Sequence, residues 1–345
     1  MDLSVSVAAR EYRRPKLQAT IYVCCARRLS RTSLKCGHQA DKIEDKAIKH
    51  DANHGLFEVS ESIGPPFDER VHLRDDATIS PVSRTGHGAI FGEDCNVFLR
   101  SIRDETVDTV FADPPFNLKK IYGARSNDDL TTEEYLTWCR SWIEEAARTL
   151  KPGGAFFLYN IPRWNILLGS HMTEIGLEFR HWIAVNLKLG LPIAKKLYPA
   201  HYSLLYFTKG KPKTFRKIRT PIQKCRHCGG EVKDYGGHRN AMNPKGVNLS
   251  DVWDDIPPVR HSKYKSGDRK ANALSSKLLD RVIEISTEPG DLVIDPFGGS
   301  GTTFAVCEAK HRRWMGTDID FSAVIAERVH GDLFLHRNGD YIDLD

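Results

Sequence analysis

The sequence predicts an α/β fold, a doubly wound and mostly parallel sheet with helices on both faces, and three observations carry that prediction. Helical periodicity, a glycine-bearing stop and a short apolar run follow one another along the chain, the rhythm of a parallel sheet with crossover helices. One strand-like run ends at Asp113-Pro114-Pro115-Phe116, and another at Asp295-Pro296-Phe297-Gly298-Gly299-Ser300-Gly301. Open α/β sheets build their ligand crevices at strand ends of this kind. The 345 residues, 40% hydrophobic and 28% charged, allow one large domain with insertions and exclude a wholly disordered chain. No apolar run approaches the ~20 residues of a spanning helix, so no membrane partner is expected.

Residues 1–85 show no sustained period apart from a strand-like run at 19–26, and Arg10, Arg13, Arg14, Arg27, Arg28 and Arg31 make their start basic. A poorly ordered or unassigned extension is expected there. Regular pattern begins near Gly88. Val107 to Ala112 is a β-branched strand, and the prolines after Asp113 take the chain out of the sheet, because proline cannot donate to a ladder. From Thr131 to Leu150 the apolar residues Tyr135, Trp138, Trp142, Ile143 and Ala146 recur at helical spacing, with Thr131 and Glu134 as a capping box. Lys151-Pro152-Gly153-Gly154 stops that helix, Ala155 to Tyr159 is the next strand, and Tyr202 to Thr208 another. The pattern returns with an amphipathic helix at Leu274 to Ile285 and a strand at Asp291 to Ile294. A helix from Thr302 to Lys310 and a strand from Arg313 to Thr317, ending at Asp318, complete it.

Charge divides the chain further. The total is only +5, yet Lys188 to Lys270 holds 19 Lys/Arg against 6 Asp/Glu, a net of +13, which leaves −8 for the remainder. That stretch is rich in Pro, Gly, Lys and Arg with little periodicity, so it reads as a basic insert facing a polyanion. Tyr198, Tyr202, Tyr206, Trp253 and Tyr264 stand among its cations as candidates for base contacts. The expected organisation is a catalytic half over 86–187, the insert over 188–270 and a cofactor-binding half over 271–345. Eight scattered cysteines without a small-scaffold framework point to a reduced, cytoplasmic protein.

The two strand exits carry the chemistry. Gly298, Gly299 and Gly301 between a buried strand and a helix let backbone N–H groups approach a ligand beside a positive helix end. Asp318, at the end of the next strand, stands where a carboxylate accepts from ribose hydroxyls. The order is not G-x-G-x-x-G, which disfavours NAD. At the other exit, the Asp113 carboxylate and the Pro114 carbonyl are held as neighbouring acceptors, with Phe116 as an aromatic face. That set suits a planar group bearing NH₂. Taken singly, each motif also reads as an ordinary turn. Within the insert, Cys225-Arg226-His227-Cys228-Gly229-Gly230 has the shape of a zinc knuckle. His227, His238 or His261 would have to complete a structural zinc site, and none has diagnostic spacing.

In their order along the chain, these motifs resemble the DNA amino-methyltransferases of the β class, in which Asp-Pro-Pro-Tyr/Phe comes first, a recognition region follows and Asp-Pro-Phe-x-Gly-x-Gly comes last. Phe91 to Leu118 and Leu150 to Gly154 also resemble family segments, and the likeness covers roughly 88–335. It implies a Rossmann-like, circularly permuted class I methyltransferase fold with an inserted target-recognition module. It implies S-adenosylmethionine as cofactor, on Asp295, Pro296, Phe297, Gly298, Gly299, Gly301, Thr302 and Asp318, with Asp94 as a candidate for the adenine. Asp113, Pro114, Pro115 and Phe116 are the implied catalytic set, and Asp at the first position favours the N6 of a flipped adenine in double-stranded DNA. The implied partners are that DNA and a cognate restriction endonuclease, for a monomer or homodimer associated with the nucleoid. One departure stands out: the family's Lys-Pro pair before the cofactor loop is replaced here by Ala273-Leu274-Ser275-Ser276-Lys277. Methylation of cytosine N4 or of RNA, and a non-catalytic DNA-binding protein on this scaffold, remain the alternatives.

Overall fold

Between Ser83 and His330 the chain forms, in order, β1 (Ser83–Arg84), β2 (Gly88–Phe91), α1 (Cys95–Ser101), β3 (Val107–Ala112), α2 (Thr132–Thr149), β4 (Leu150–Asn160), α3 (Pro162–Glu174), β5 (Glu178–Asn186) and β6 (His201–Thr208). It continues with β7 (Arg219–Thr220), β8 (Val247–Asn248), β9 (Val252–Trp253), α4 (Ser276–Ser286), β10 (Leu292–Asp295), α5 (Thr302–Ala309), β11 (Arg313–Thr317) and α6 (Ser322–His330). The computed structural model describes residues 65–331, apart from 120–127, 188–193, 196, 258–272 and short runs between 223 and 244. Among the described residues, nine strands make one sheet in the order β1-β2-β11-β10-β3-β4-β6-β5-β9, and β7 pairs β8 separately. From β2 to β4 the neighbours are parallel. β6 then runs antiparallel between β4 and β5, and β1 runs antiparallel to β2.

Side chains of a strand alternate between faces, so the two faces have separate cores. Val110, Ala112, Phe156 and Leu158 meet Phe98, Trp142, Trp164 and Leu168 from α1–α3. Phe111, Phe157 and Tyr159 share the other core with Leu279, Val282, Phe304 and Ile325 from α4–α6. Burying each such side chain stabilises the fold by about 1.5–3 kcal/mol. The capping box at Thr131 and Glu134 forms as expected. Cys95 and Cys139 are packed thiols, and burial pushes Cys139 up to about 12.

Three expectations change. Order begins well before residue 86: Phe67, Leu73 and Ile79 are buried in the first core, and Leu73 bridges Ile102. Their spacing makes no helical or strand pattern because each anchors separately, as where Phe67 N–H donates to the Gly86 carbonyl and Arg103 N–H to that of His72. The strand-like run at 19–26 lies outside the described residues. Second, the boundary at 188 cuts through the sheet, since β6 is an interior strand between β4 and β5. Third, some insert residues are structural. Tyr206 and Trp253 are 2% and 1% exposed. Lys209 pairs with Glu105, Lys213 with Asp108 and Asp291, and Arg216 with Glu284 and Glu288, so these cations are neutralised by the acidic body. Gln223–Met242 belongs to a compact unit apart from the main body.

Candidate active site

β10 and β3 are parallel neighbours, with Ile294 opposite Val110. The chain leaves β10 toward α5 on one face and returns through α2 on the other after β3. This is the switch point where an open sheet has a crevice, and it brings the two motifs side by side.

The Asp113 exit is held from both helices on its face. The Tyr135 hydroxyl donates to the Pro115 carbonyl at 2.7 Å, and Asn160 Nδ2 donates to that hydroxyl at 3.0 Å. Trp164 Nε1 donates to the Phe116 carbonyl at 2.7 Å. Asn117 takes a left-handed φ of 53°, and the Asp128 carboxylate accepts from Asn117 N–H and Leu118 N–H at 2.6 and 2.9 Å. Among the described residues, no hydrogen bond occupies the Asp113 carboxylate or the Pro114 carbonyl. Phe116 faces Tyr202 at 5.6 Å and Tyr159 at 6.2 Å, and the two tyrosines are 5.3 Å apart. Burial and then the Asp113 carboxylate push both phenols upward.

Across the crevice, Asp295 folds its own loop: Thr303 Oγ1 donates to one oxygen at 2.6 Å and Phe297 N–H to the other at 2.9 Å. Gly299 and Gly301 have φ of 51° and 78°, which disfavours a side chain. Gly298 is needed for packing, since a Cβ there would lie 2.8 Å from both Ile325 and Phe304. Asp318 accepts from Gly299 N–H at 2.8 Å and from Asp320 and Phe321 N–H at 2.9 and 2.8 Å. α5 starts at Thr302 with Gly301 as an N-cap that has no capping side chain. Pro296 is buried beneath the turn, and Phe297 packs edge-on against Trp142 at 5.0 Å. Asp94, at the end of β2, is committed to capping α1 by accepting from Asn96 N–H at 2.8 Å.

Tyr135, Trp164, Asn160, Tyr159 and Ser275 were not singled out by the sequence. Tyr135 and Tyr159 read only as parts of a helix and a strand, Asn160 and Trp164 had no reading, and only their polar atoms signal more. Ser275 precedes α4, is 5% exposed, and its Oγ has no partner. Its neighbour Leu274 accepts from Thr302 Oγ1 at 3.4 Å, so Ser275 stands beside the α5 start. Electrostatically, the crevice is crowded with carboxylates. Burial and then Asp295 push Asp113 well above the usual range. Burial, reinforced by Asp318 against the two hydrogen bonds, brings Asp295 to about 7. Such a site favours a ligand bearing positive charge.

A family model described as "DNA methylase" matches residues 107–325, which span both exits. The chain belongs to the DNA methylase family. It is 54% identical over 252 residues to the Type II methyltransferase M.BamHI of Bacillus amyloliquefaciens, covering 73% of this chain and 59% of that protein. The chain thus spans less than two thirds of that relative's length. To the Type II methyltransferase M.HpaI of Haemophilus parainfluenzae it is 31% identical over 229 residues, 64% of this chain and 67% of the relative. The solved structure of the PvuII DNA methyltransferase, described as cytosine-N4-specific, shares the fold with a TM-score of 0.53 at 21% identity, covering 74% of this chain and 91% of that one. The family's α/β class is therefore the one read from the sequence.

Of the metal residues, Cys225 is described: its N–H donates to the Gly230 carbonyl at 2.7 Å and its carbonyl accepts from Gly229 N–H at 2.8 Å. Cys228, His227, His238 and His261 lie outside the described residues. Among the described residues, no group of three His, Cys, Asp or Glu is arranged to hold a metal. No described helix is long and apolar enough to cross a membrane.

Proposed function

We propose that this methylase transfers a methyl group from S-adenosylmethionine to the exocyclic N6 of an adenine flipped out of double-stranded DNA. The carrying observation is the pair of open acceptors, Asp113 carboxylate and Pro114 carbonyl, beside the Phe116–Tyr159–Tyr202 ring cluster and next to the glycine turn.

The residues fit the cofactor. The repelling carboxylates of Asp295 and Asp318 suit a cation, the buried Ser275 Oγ lacks a partner, and the uncapped α5 start offers N–H groups. Gly299, Gly301, Thr302, Ser275 and Asp318 would hold it, with Asp295, Pro296, Phe297 and Gly298 shaping the turn. Asp94 is left a minor part by its capping bond. When bound, S-adenosylmethionine supplies a methyl group already activated by its sulfonium charge. The protein's own work is positioning. Asp113 and the Pro114 carbonyl accept from the two amine hydrogens, which turns the nitrogen lone pair outward and stabilises the charge that develops on it. Phe116 and Tyr202 take the base faces, since a base inside a duplex cannot reach such a pocket. Tyr135 and Trp164 hold the backbone that presents Phe116.

The stretch 188–270, without its structural cations and with β6 returned to the sheet, would supply recognition. A cognate endonuclease, a monomeric or homodimeric state and a cytoplasmic, nucleoid-associated location belong to the same reading. A structural zinc on Cys225 and Cys228 needs further ligands that the described residues do not supply. Metal analysis with and without Cys225→Ser tests it, and zinc-free active protein refutes it. The main test is incubation with unmethylated DNA, digestion and mass spectrometry of the nucleosides. N6-methyladenine is expected, N4-methylcytosine would correct the acceptor, and DNA binding without any methylated nucleoside would overturn the enzyme.

A further inference from the structure

The β5–β6 hairpin opens at the catalytic edge. β4 is parallel to β3, and Asn160 at its end pairs with Ser203 of β6, while Asn186 at the end of β5 pairs with His201. Leu187 N–H donates to the Ala200 carbonyl at 2.7 Å and closes the hairpin's base. Of the residues between them, Lys195, Leu197 and Tyr198 are described and exposed, at the end of the hairpin toward which β3 and β4 run. One turn of chain later, Tyr202 of the same hairpin contacts Phe116.

Leu197 is 95% exposed and neighbouring Tyr198 is 44% exposed. A leucine this exposed gains nothing from water, and the charges near it in sequence are of one sign. Between Leu187 and His201 the sequence carries three lysines, 188, 195 and 196, and no acidic residue. An exposed leucine two residues from exposed Lys195, on the hairpin that carries Tyr202 to Phe116, matches a duplex: a lysine meets phosphate and the apolar side chain enters the stack.

We infer that Leu197 is a DNA wedge, entering the duplex beside the target and occupying stacking space that the flipped base vacates. This rests on the methylase reading above. Extrusion of a paired base is opposed by the cost of unstacking and unpairing it, which is least where the base is mismatched. Leu197 would thus matter on paired DNA and little where the target is already unpaired.

The test first locates the modified site by sequencing DNA treated with the wild-type protein. It then compares initial methylation rates of wild type, Leu197→Ala and Leu197→Met on two duplexes, with the target base paired or mismatched. Leu197→Ala should lose about ten-fold or more on the paired duplex, the factor given by ~1.4 kcal/mol, and return to within about two-fold of wild type on the mismatched one. Leu197→Met, which keeps an apolar wedge, should stay near wild type on both. An equal ratio of paired to mismatched rates in wild type and Leu197→Ala overturns the wedge while leaving the methylase reading intact. So does a changed oligomeric state in size-exclusion chromatography with that ratio unmoved, which would mark a contact between copies. A wild-type protein that methylates no DNA overturns both.

Discussion

Replacing Asp113 by Asn should separate catalysis from stability, because the two effects have opposite signs. The amide keeps the shape and one acceptor oxygen but removes the charge that faces the reacting amine. The Pro114 carbonyl remains as the second acceptor. A preorganised group aimed at developing charge is worth about 10²–10³ in kcat, so Asp113→Asn should fall about a hundred-fold and Asp113→Ala nearer a thousand-fold. Cofactor affinity should change little, since Ser275, Thr302, Gly299 and Asp318 lie across the crevice. Stability should move the other way. Burial and Asp295 make the ionised form unfavourable in the folded protein, so folded Asp113 keeps its proton to higher pH than the unfolded chain does. The carboxylate therefore weakens the fold at pH 8 and stops doing so as pH falls. Asp113→Asn should melt above wild type at pH 8, with the gap closing toward acid. Radiolabelled methyl transfer, cofactor titration calorimetry and melting curves at several pH values read the three quantities. Near-wild-type kcat would refute the catalytic assignment, and cofactor affinity falling in step with kcat would move Asp113 into the binding site.

Tyr202→Ala should raise KM for DNA by roughly ten- to hundred-fold, from the about 1–3 kcal/mol that a base gains on an aromatic face, while Tyr202→Phe stays near wild type in the same steady-state assay. Asp295, 2% exposed and titrating near 7, should weaken the fold progressively as pH rises from about 4 to 7, by an upper bound on the order of 4 kcal/mol. Urea unfolding of wild type against Asp295→Asn across that range reads the difference, and parallel curves would contradict it. Gly298→Ala, which forces a Cβ to 2.8 Å from Phe304 and Ile325, should destabilise by about 1–3 kcal/mol in chemical unfolding. Lys213→Ala should lower stability yet leave the salt dependence of DNA binding unchanged, because Lys213 serves Asp108 and Asp291. A shallower salt slope would return Lys213 to the DNA-facing set.

Much of the fold was legible because its signals are local. Val107–Ala112 and Arg313–Thr317 are strands with the expected ends, and the Thr131–Glu134 box sits where spacing placed it. Expectations failed where structure depends on remote partners. Phe67, Leu73 and Ile79 stand too far apart in a polar stretch to make a helical or strand pattern, so only the core they enter reveals them. β6 was read as a strand over Tyr202 to Thr208 yet assigned to the insert, because its place between β4 and β5 is set by remote pairing, and α3 and β5, which precede it, were not singled out at all. The site was readable as two motifs, Asp113 to Phe116 and Asp295 to Thr302, but not as one pocket. Tyr202 was a candidate for base contacts with no link to Phe116, and Tyr159, Trp164 and Ser275 carried no signal of a role in the site.

The sequence alone determined the α/β class, the two strand exits and the residue types that each presents. Those follow from periodicity, proline and glycine, which act within a few residues of themselves. Only the tertiary structure decided that β10 and β3 are neighbours, and hence that Asp113 and Asp295 repel each other. It also decided that Lys209, Lys213 and Arg216 belong to the fold, and that Leu197 stands exposed between β5 and β6. The physical reason is that charge and burial depend on distance in space, while spacing along a chain constrains distance only within one element.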